Sequence, residues 1–289
     1  MFGFLNIYKP KGKTSHDVVA ILRRVTKIKQ IGHTGTLDPF AEGVLPICIG
    51  KATRLAEYLN DDKAYIGTIQ FGKSTTTYDI EGEAVNISDK NVTLSDIEQE
   101  LKNFRGGIEQ LPPIFSAVKI KGKKLYEYAR SGKEEEIIQE IKPRKVTINE
   151  IKVLNYDTDM RRLELYIACS KGTYIRSVAN DLGERLGVFG HLIKLVRVQA
   201  GRFKIENSIE LNELESAEQV KNKLISPLEY LNYPIYELNS EETEKISHGN
   251  PVYTDKKFEN TTILLTKQNE LAAIGEFKDN LIKCKKVFL

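Results

Sequence analysis

Residues 163–187 read LELYIACSKGTYIRSVANDLGERLG and contain both kinds of secondary structure from which this chain is built. Its first part, 163–169, places apolar side chains at every second position, which predicts a β-strand with one buried face. The residues that follow repeat apolar side chains at helical spacing, and Gly187 ends that pattern. The helical positions are Ile175, Val178, Ala179, Leu182 and Leu186. A strand, a helix and, from about 193 to 203, another strand therefore follow one another directly.

Strands and helices alternate elsewhere in the chain without a regular βαβ repeat. Strands are predicted at 4–8, 65–71 and 146–154, and helices begin near Ser15, which we expect to cap the first of them, and Thr93. This mixture favours an α+β fold around a mostly antiparallel mixed sheet.

The end of the chain has a different pattern. After an acidic stretch that ends near residue 232, three short strands with turns at 268–269 and 279–280 predict a small β module. We therefore expect a large domain over 1–232 and a small one over 233–289.

The charge of the chain is unevenly distributed although its sum is small. The 289 residues include 43 Lys and Arg against 40 Asp and Glu, a formal net charge of +3. Between residues 9 and 30 there are seven basic residues and one acidic residue, whereas 207–247 contain nine acidic and three basic ones. Such separation suits a surface that binds a polyanion or an ordinary solvated surface, and composition alone does not choose between them.

Composition excludes several classes of protein. Apolar residues make up 40% of the chain, and no apolar run is long enough to span a bilayer. The first ten residues lack the basic and apolar regions of an export signal. Three widely spaced cysteines without a CxxC motif are expected to be reduced thiols of a cytoplasmic protein, so neither a disulfide framework nor a zinc site is predicted. The sequence contains no Walker motif, Gly-rich dinucleotide loop or HExxH motif.

Residues 32–39, GHTGTLDP, form a predicted loop with a carboxylate in a fixed place. The two glycines permit tight backbone geometry, and Pro39 favours an extended conformation at Asp38. A carboxylate with preset geometry is suited to nucleophilic attack or proton transfer. The alternative is a structural turn in which Asp38 binds nearby amides, as Asp commonly does.

Two other side chains have more than one interpretation. Arg176, at the start of a predicted helix, has the geometry to form a bidentate pair with a buried carboxylate, or is a surface cation. Tyr65 lies on the apolar face of a predicted strand, where its ring belongs to the core or provides a platform for a stacked base. His33 and His191 lack metal-ligand spacing, so core or loop positions are expected for both.

Residues 119–130, KIKGKKLYEYAR, combine five basic side chains with two tyrosines. Basic and aromatic side chains in alternation suit a folded RNA, because they provide phosphate contacts and stacking surfaces. An exposed amphipathic helix would have a similar composition, so the segment alone leaves both interpretations open.

Taken together, these segments resemble the TruB family, the bacterial tRNA pseudouridine-55 synthases. The resemblance extends over about residues 4–203, with the motifs in the order of the family. The matching motifs are KPxGxTS at 9–15, GHTGTLDP at 32–39, GVLP at 43–46, KxY at 63–65, TYDIEG at 77–82, GKKLY at 122–126, KGTYIR at 171–176 and LxR at 195–197.

The resemblance implies a reaction and its catalytic residues. Members of the family isomerise uridine to pseudouridine: the N-glycosidic bond is cleaved, the uracil turns, and C5 is joined to C1′, without a metal or cofactor. By the match, Asp38 is the catalytic aspartate and Arg176 keeps it ionised and oriented. Tyr65 packs on the flipped uracil and could assist proton transfer at C5. Attack on the sugar, attack on the base and proton abstraction by Asp38 all remain open.

Contacts with substrate RNA are also implied by the resemblance. His33 is expected to help displace the target base from the T-loop stack, and Tyr174 and Leu195 to line the nucleotide pocket. Further contacts with RNA are expected from Lys63, Asp79, Arg197, Lys121, Lys123 and Lys124.

Members of the family combine a ferredoxin-like α+β catalytic core, an inserted basic thumb and a C-terminal PUA-type β module. The matches place the thumb at about 119–145 and the PUA-like, RNA-binding module at 233–289. We expect a monomer whose partner is the T-arm of tRNA, with no membrane and no metal. Two other hypotheses are a non-catalytic module for tRNA binding or folding, and a pseudouridine synthase that acts on another RNA.

Overall fold

The structure, a computed structural model, describes residues 1–60, 62–259 and 261–289. Its α-helices are α1 (Ser15–Thr26), α2 (Leu94–Leu101), α3 (Leu125–Arg130), α4 (Ile175–Arg185), α5 (Ala217–Asn222), α6 (Pro227–Tyr230) and α7 (Ser240–Ser247). Its strands are β1 (Gly3–Lys9), β2 (Ile31–His33), β3 (Glu42–Ile49), β4 (Lys63–Phe71), β5 (Lys73–Thr75), β6 (Ala84–Ile87), β7 (Gly106–Gln110), β8 (Lys119–Ile120), β9 (Lys123–Lys124), β10 (Arg144–Asp157), β11 (Arg162–Cys169), β12 (Gly190–Ala200), β13 (Phe203–Lys204), β14 (Ile209–Glu210), β15 (Ile235–Glu237), β16 (Val252–Tyr253), β17 (Thr262–Lys267), β18 (Glu270–Lys278) and β19 (Leu281–Val287). A 3₁₀ helix at Gly50–Tyr58 follows β3.

A large mixed sheet forms the centre of the molecule. Its strands lie in the order β14-β1-β3-β12-β4-β11-β10-β7, with β2 paired to β3 and β13 to β12. The pairs β1–β14 and β3–β12 are parallel and the other pairs are antiparallel. The α+β class with a mostly antiparallel mixed sheet is confirmed.

The stretch that predicted alternating strand and helix folds as expected. The predicted strand is β11, and the helical stripe is α4, which packs its buried side against the sheet within a core shared with α2. Gly187, just beyond α4, has φ +69°, a left-handed conformation that glycine adopts without strain.

The cap of the first helix differs from the prediction. Thr14, not Ser15, is the N-cap of α1, and it forms a capping box with Asp17. The Ser15 hydroxyl lies one residue inside the helix, where Leu37 N–H donates to it at 2.8 Å and it donates to Leu37 C=O at 3.2 Å. Ser15 therefore joins α1 to the loop 32–39 instead of capping the helix.

Gly43 permits a close approach between two central strands. Its φ is +103°, and a Cβ at this position would lie 2.3 Å from the Arg197 carbonyl oxygen. A larger residue would push β3 away from β12, and because the loop 32–39 precedes β3, it would also displace that loop.

A second sheet follows the acidic stretch, in the order β15-β17-β18-β19-β16. The three predicted strands are β17, β18 and β19, and the two turns between them have left-handed residues at both central positions, as two-residue hairpins require. The sheet has a core of its own, and Phe288 stacks on Phe2 to join it to the rest of the chain. The prediction missed β15, β16 and α7 because they are short and their apolar periodicity is weak.

Candidate active site

A cavity of about 680 Å³ opens beside the central strands. Its wall is formed by the loop 32–39, the start of β4, residues 77–81, the segment 115–130 and the turn that begins α4. Six of the residues implicated by the sequence line it together: Asp38, Lys63, Tyr65, Asp79, Tyr174 and Arg176, with Leu195 from β12 as a seventh. Segments that lie up to 160 residues apart in the chain are thus brought to one place.

Asp38 and Arg176 form a bidentate ion pair at the cavity wall. Arg176 Nε donates to Asp38 Oδ2 at 2.9 Å, and its second terminal nitrogen donates to Oδ1 at 3.3 Å. The Arg176 side chain is 5% exposed, whereas that of Asp38 is 34% exposed. The carboxylate is therefore held in one orientation and remains accessible from the cavity.

Arg176 is fixed in turn by several other acceptors. It donates to the carbonyl oxygens of Thr77 at 3.1 Å and Phe115 at 2.9 Å, and it lies 3.6 Å from Asp79 Oδ2. With these contacts the guanidinium has little freedom to turn away from Asp38.

Asp79 lines the cavity, but its carboxylate is bound from within the protein. Thr77 donates its hydroxyl to Asp79 Oδ1 at 2.5 Å, and the backbone of Glu81 donates to the same oxygen at 3.0 Å. Burial raises the pKa of Asp79, and the Thr77 hydrogen bond and Arg176 oppose that rise. Its observed partners indicate that Asp79 positions Arg176.

Tyr65 and Leu195 contribute apolar surface to the cavity wall. Their side chains are 7% and 5% exposed. Burial raises the pKa of the Tyr65 hydroxyl, while the nearby Arg197 guanidinium opposes the rise. The hydroxyl is thus protonated at neutral pH, and the ring offers a flat surface for a planar ligand.

Tyr174 occupies the N-cap position of α4, where its backbone is held by an amide that sequence reasoning missed. Gln110 accepts from Tyr174 N–H at 2.8 Å and donates to Tyr174 C=O at 3.0 Å. Ser177 reinforces this link by donating to Leu111 C=O at 2.9 Å. Nothing in the local sequence of Gln110 indicates this role, because its partner lies 64 residues further along the chain.

Arg197 differs from the expectation that it contacts RNA. It is 0% exposed, and its guanidinium donates to the carbonyls of Val44 at 2.6 Å, Gly35 at 3.0 Å and Thr36 at 3.4 Å. A side chain with these partners is out of reach of a phosphate. Arg197 instead holds the backbone of the loop 32–39 from inside the protein.

Lys9 supports the same loop from the other end. It is fully buried, and its ammonium donates to the carbonyls of Lys13 at 2.6 Å, Pro10 at 3.1 Å and Pro39 at 3.4 Å. Burial lowers the pKa of Lys9 to about 8, although Asp38 nearby favours its charged form. Two buried cations thus hold the backbone on both sides of Asp38.

His33 lies at the end of β2 and does not line the cavity. Its Nδ1 is buried without a hydrogen-bond partner, and burial lowers its pKa. His191, for which a core or loop position is expected, is 2% exposed, and its Nδ1 lies 3.1 Å from the Lys73 carbonyl.

The basic side chains of the thumb, residues 119–145, lie above the cavity and are mostly exposed. Lys121 forms an ion pair with Glu140, and Lys123 lies 6.0 Å from the centre of the Tyr128 ring. Lys124 lies over Tyr126, 5.3 Å from its ring centre. Of the predicted thumb lysines none lines the cavity, whereas Tyr126 does.

Sequence reasoning did not single out two cavity residues of this region, Ser116 and Arg130. Arg130 lies 5.4 Å from the Tyr126 ring centre and lines the cavity beside it. Arg130 belongs to the basic segment 119–130, and the composition of that segment was the sequence signal that could have identified it. Ser116 precedes that segment, and no sequence pattern pointed to it.

Within residues 1–60, 62–259 and 261–289, no three His, Cys, Asp or Glu side chains are grouped so as to hold a metal ion. Across the same ranges, no helix has the length and apolar character needed to cross a membrane. Cys48, Cys169 and Cys284 are free thiols, as expected.

Comparison with protein families gives two adjoining matches. The model of the TruB family pseudouridylate synthase N-terminal domain matches residues 23–175, and that of the tRNA pseudouridylate synthase B C-terminal domain matches 176–232. The first covers Asp38 and Tyr65, and the second begins at Arg176. The second match ends at residue 232, just after α6 and before the strands of the second sheet.

Curated relatives named tRNA pseudouridine synthase B cover most of the chain. The protein from Synechocystis sp. is 47% identical over 256 residues, which are 86% of this chain and 84% of the relative. The one from Caldanaerobacter subterraneus subsp. tengcongensis is 41% identical over 290 residues and covers 99% of each chain.

Among solved structures, the fold is similar to a chain of a Cbf5-Nop10-Gar1 complex. The TM-score is 0.72 at 26% identity, over 100% of this chain and 85% of the other. A chain of an H/ACA RNP bound to a substrate RNA gives 0.71 at 24% identity, with the same coverage, and shows the likeness of fold alone. With both family models matched in sequence order and relatives above 40% identity along its length, this chain belongs to the TruB family of pseudouridylate synthases.

Proposed function

We propose that this protein isomerises a T-loop uridine of tRNA to pseudouridine, with Asp38 as the catalytic aspartate. The observation that carries the proposal is the bidentate Asp38–Arg176 pair at the wall of a cavity in a chain of the TruB family. The reaction cleaves the bond from N1 to C1′, forms a bond from C5 to C1′ and moves the C5 proton. No atom is gained or lost, so no co-reactant is needed.

Base flipping gives the uridine access to Asp38. A base inside the T-loop stack cannot reach a carboxylate in a cavity, and its extrusion costs a few kcal/mol that contacts with the protein must offset. Tyr65 and Leu195 supply an apolar surface for the uracil, and the Tyr65 hydroxyl is a candidate for proton transfer at C5. His33 is proposed to occupy the space that the flipped base leaves.

The choice of tRNA over another RNA follows from the degree of similarity. Relatives named tRNA pseudouridine synthase B are 40–47% identical, whereas the Cbf5 chain of a protein complex is 26% identical. A non-catalytic binding module would need neither the fixed carboxylate nor the buried arginine, because RNA binding alone requires surface cations and stacking groups.

Outside the cavity, two regions are proposed to contact the RNA. One is the thumb, through Lys121, Lys123 and Lys124, with Lys63 nearer the cavity. The other is the β module 233–289, proposed as a PUA-like RNA-binding domain, in support of which β19 carries the exposed Lys283. Since one chain supplies the whole cavity wall, we propose that the protein acts as a monomer, in the cytoplasm where tRNA is found.

The test is incubation of the purified protein with an unmodified tRNA transcript and mapping of pseudouridine in the product. The expected result is modification of a single T-loop uridine, and a loss of at least about 10³-fold in rate for Asp38→Asn with tRNA binding retained. Tight binding without product would favour the non-catalytic module. Modification of a ribosomal RNA fragment in preference to tRNA would favour the other synthase, and an unchanged rate for Asp38→Asn would remove the role of Asp38.

A further inference from the structure

Ser116 has a buried hydroxyl that no protein group satisfies. The residue is 5% exposed, and its Oγ is buried without a hydrogen-bond partner. In the ranges that the structure describes, Asn6 Oδ1 and His33 Nδ1 share that property, but neither residue lines the cavity, whereas Ser116 does. Native proteins rarely leave a buried polar atom unpaired, so each case calls for an explanation.

The backbone around Ser116 is fixed by both the thumb and the catalytic arginine. Tyr126 N–H donates to Ser116 C=O at 3.1 Å, and Ser116 N–H donates to Ile114 C=O at 3.0 Å. The carbonyl of the preceding residue, Phe115, accepts from Arg176 at 2.9 Å. The backbone at Ser116 is therefore anchored on one side to the thumb and on the other to the arginine that binds Asp38.

We propose that Ser116 is a substrate-binding residue, whose hydroxyl forms a hydrogen bond with a neutral polar group of the flipped nucleotide. This inference rests on the proposed function, because it takes the cavity to be the place of the target uridine. The Ser116 hydroxyl has no hydrogen-bond partner in the free protein and gains one only when the nucleotide enters. The new hydrogen bond therefore contributes to selection of the nucleotide.

The chemistry of the cavity favours a neutral partner over a phosphate. A serine hydroxyl both donates and accepts, which suits a uracil carbonyl or the ribose 2′-hydroxyl. The phosphates have a cationic partner at the cavity wall in Arg130, which binds them more strongly than a neutral hydroxyl does.

The test compares kcat/KM of Ser116→Ala with that of the wild type on a T-arm hairpin RNA. Loss of a hydrogen bond to a neutral group is expected to lower kcat/KM about fivefold to tenfold. Ser116→Thr keeps the hydroxyl and should recover most of the loss. Ser208→Ala is the matched control, because Ser208 lies outside the cavity, the thumb and the β module and its hydroxyl is satisfied by the carbonyl of Ile205, so it should behave like the wild type.

Altered substrates distinguish a contact from a structural effect. Hairpin affinities are measured in the Asp38→Asn background, with uridine, 2′-deoxyuridine, 2-thiouridine or 4-thiouridine at the target position. If Ser116 contacts the nucleotide, Ser116→Ala weakens binding of the hairpin that contains uridine. It does not weaken binding of the hairpin whose analogue lacks or alters the group that Ser116 contacts. That analogue identifies the ribose hydroxyl or one of the two carbonyls.

Two results would overturn the inference. One is a wild-type kcat/KM for Ser116→Ala, and the other is a loss of the same size with every analogue, which would indicate a structural role. Neither result would affect the proposed function, which the wild-type protein tests on its own by forming pseudouridine. A wild-type protein that forms none would instead remove the proposed function.

Discussion

The two sides of the cavity are built in different ways. On the side of α4, Arg176 and Asp79 have side chains only 5% exposed, and each charge is bound by several fixed partners. On the side of the thumb, Lys121 and Glu140 have side chains 64% and 41% exposed and pair mainly with each other. Buried, fully bonded groups keep one geometry, whereas exposed ion pairs are worth at most about 1 kcal/mol and rearrange easily. The difference indicates that the α4 side is preorganised and that the thumb side is adaptable.

The largest effect is expected from removing Arg176, the cation that Asp38 and Asp79 share on the α4 side. Arg176→Met leaves Asp79 buried without its cation and frees Asp38, so we expect a loss of about 3–5 kcal/mol in unfolding free energy. Activity should fall by more than about 10²-fold, because Asp38 loses its orientation. Urea unfolding and single-turnover kinetics measure the two losses.

The double variant Arg176→Met/Asp79→Asn separates these two losses. Neutralising Asp79 removes the unpaired buried charge, so much of the lost stability should return. Activity should stay low, since Asp38 is still unsupported. If stability did not recover, the contact between Arg176 and Asp79 would not be a source of stability.

Much of the α4 side could be predicted from the sequence, but its partners could not. Apolar periodicity located α4 and β11, and the fixed loop drew attention to Asp38. The two roles considered for Arg176, buried partner or surface cation, depend on contacts between residues 138 positions apart, which no local pattern contains. Arg197 was expected to contact RNA for the same reason. A motif that contains an arginine does not show whether the guanidinium lies among backbone carbonyls or in solvent.

Arg197 provides the next comparison, because it is a buried cation whose hydrogen-bonded partners are backbone carbonyls. Arg197→Met leaves the carbonyls of Val44, Gly35 and Thr36 without donors, and we expect a loss of about 2–4 kcal/mol in stability. The salt dependence of tRNA binding should not change, because the side chain does not reach phosphate. A lower salt slope in this variant would restore the expected contact with RNA.

Lys9 makes the stability of this side depend on pH. Its pKa is about 8 in the folded protein, lowered mainly by burial, against 10.5 when unfolded. Between these values the unfolded chain binds more protons, so the stability that depends on Lys9 rises with pH across that window. Relative to Lys9→Met, the wild type should gain up to about 3 kcal/mol between pH 8 and 10.5. Denaturant unfolding of both proteins at several pH values measures this gain, and a constant difference would show that Lys9 does not titrate as proposed.

The smallest effects are expected on the thumb side. Charge reversal at Lys121, Lys123 and Lys124 together should weaken tRNA binding and flatten its salt dependence, while a bound T-arm hairpin still reacts at the wild-type rate. Among single variants, Lys123→Glu should raise the Kd about tenfold, and Lys121→Glu should raise it less, because Glu140 already offsets the charge of Lys121.

Glu140→Gln is the matched control for this difference. It releases Lys121 from its ion pair without altering a lysine, so tRNA binding should become tighter and the salt dependence steeper, with no change in unfolding free energy beyond about 0.5 kcal/mol. Fluorescence anisotropy across a salt series measures these changes. Equal effects of Lys121→Glu and Lys123→Glu, together with no effect of Glu140→Gln, would mean that the ion pair opens without cost in the complex. The thumb would then bind RNA through its total charge alone, and the contrast with the fixed α4 side would be complete.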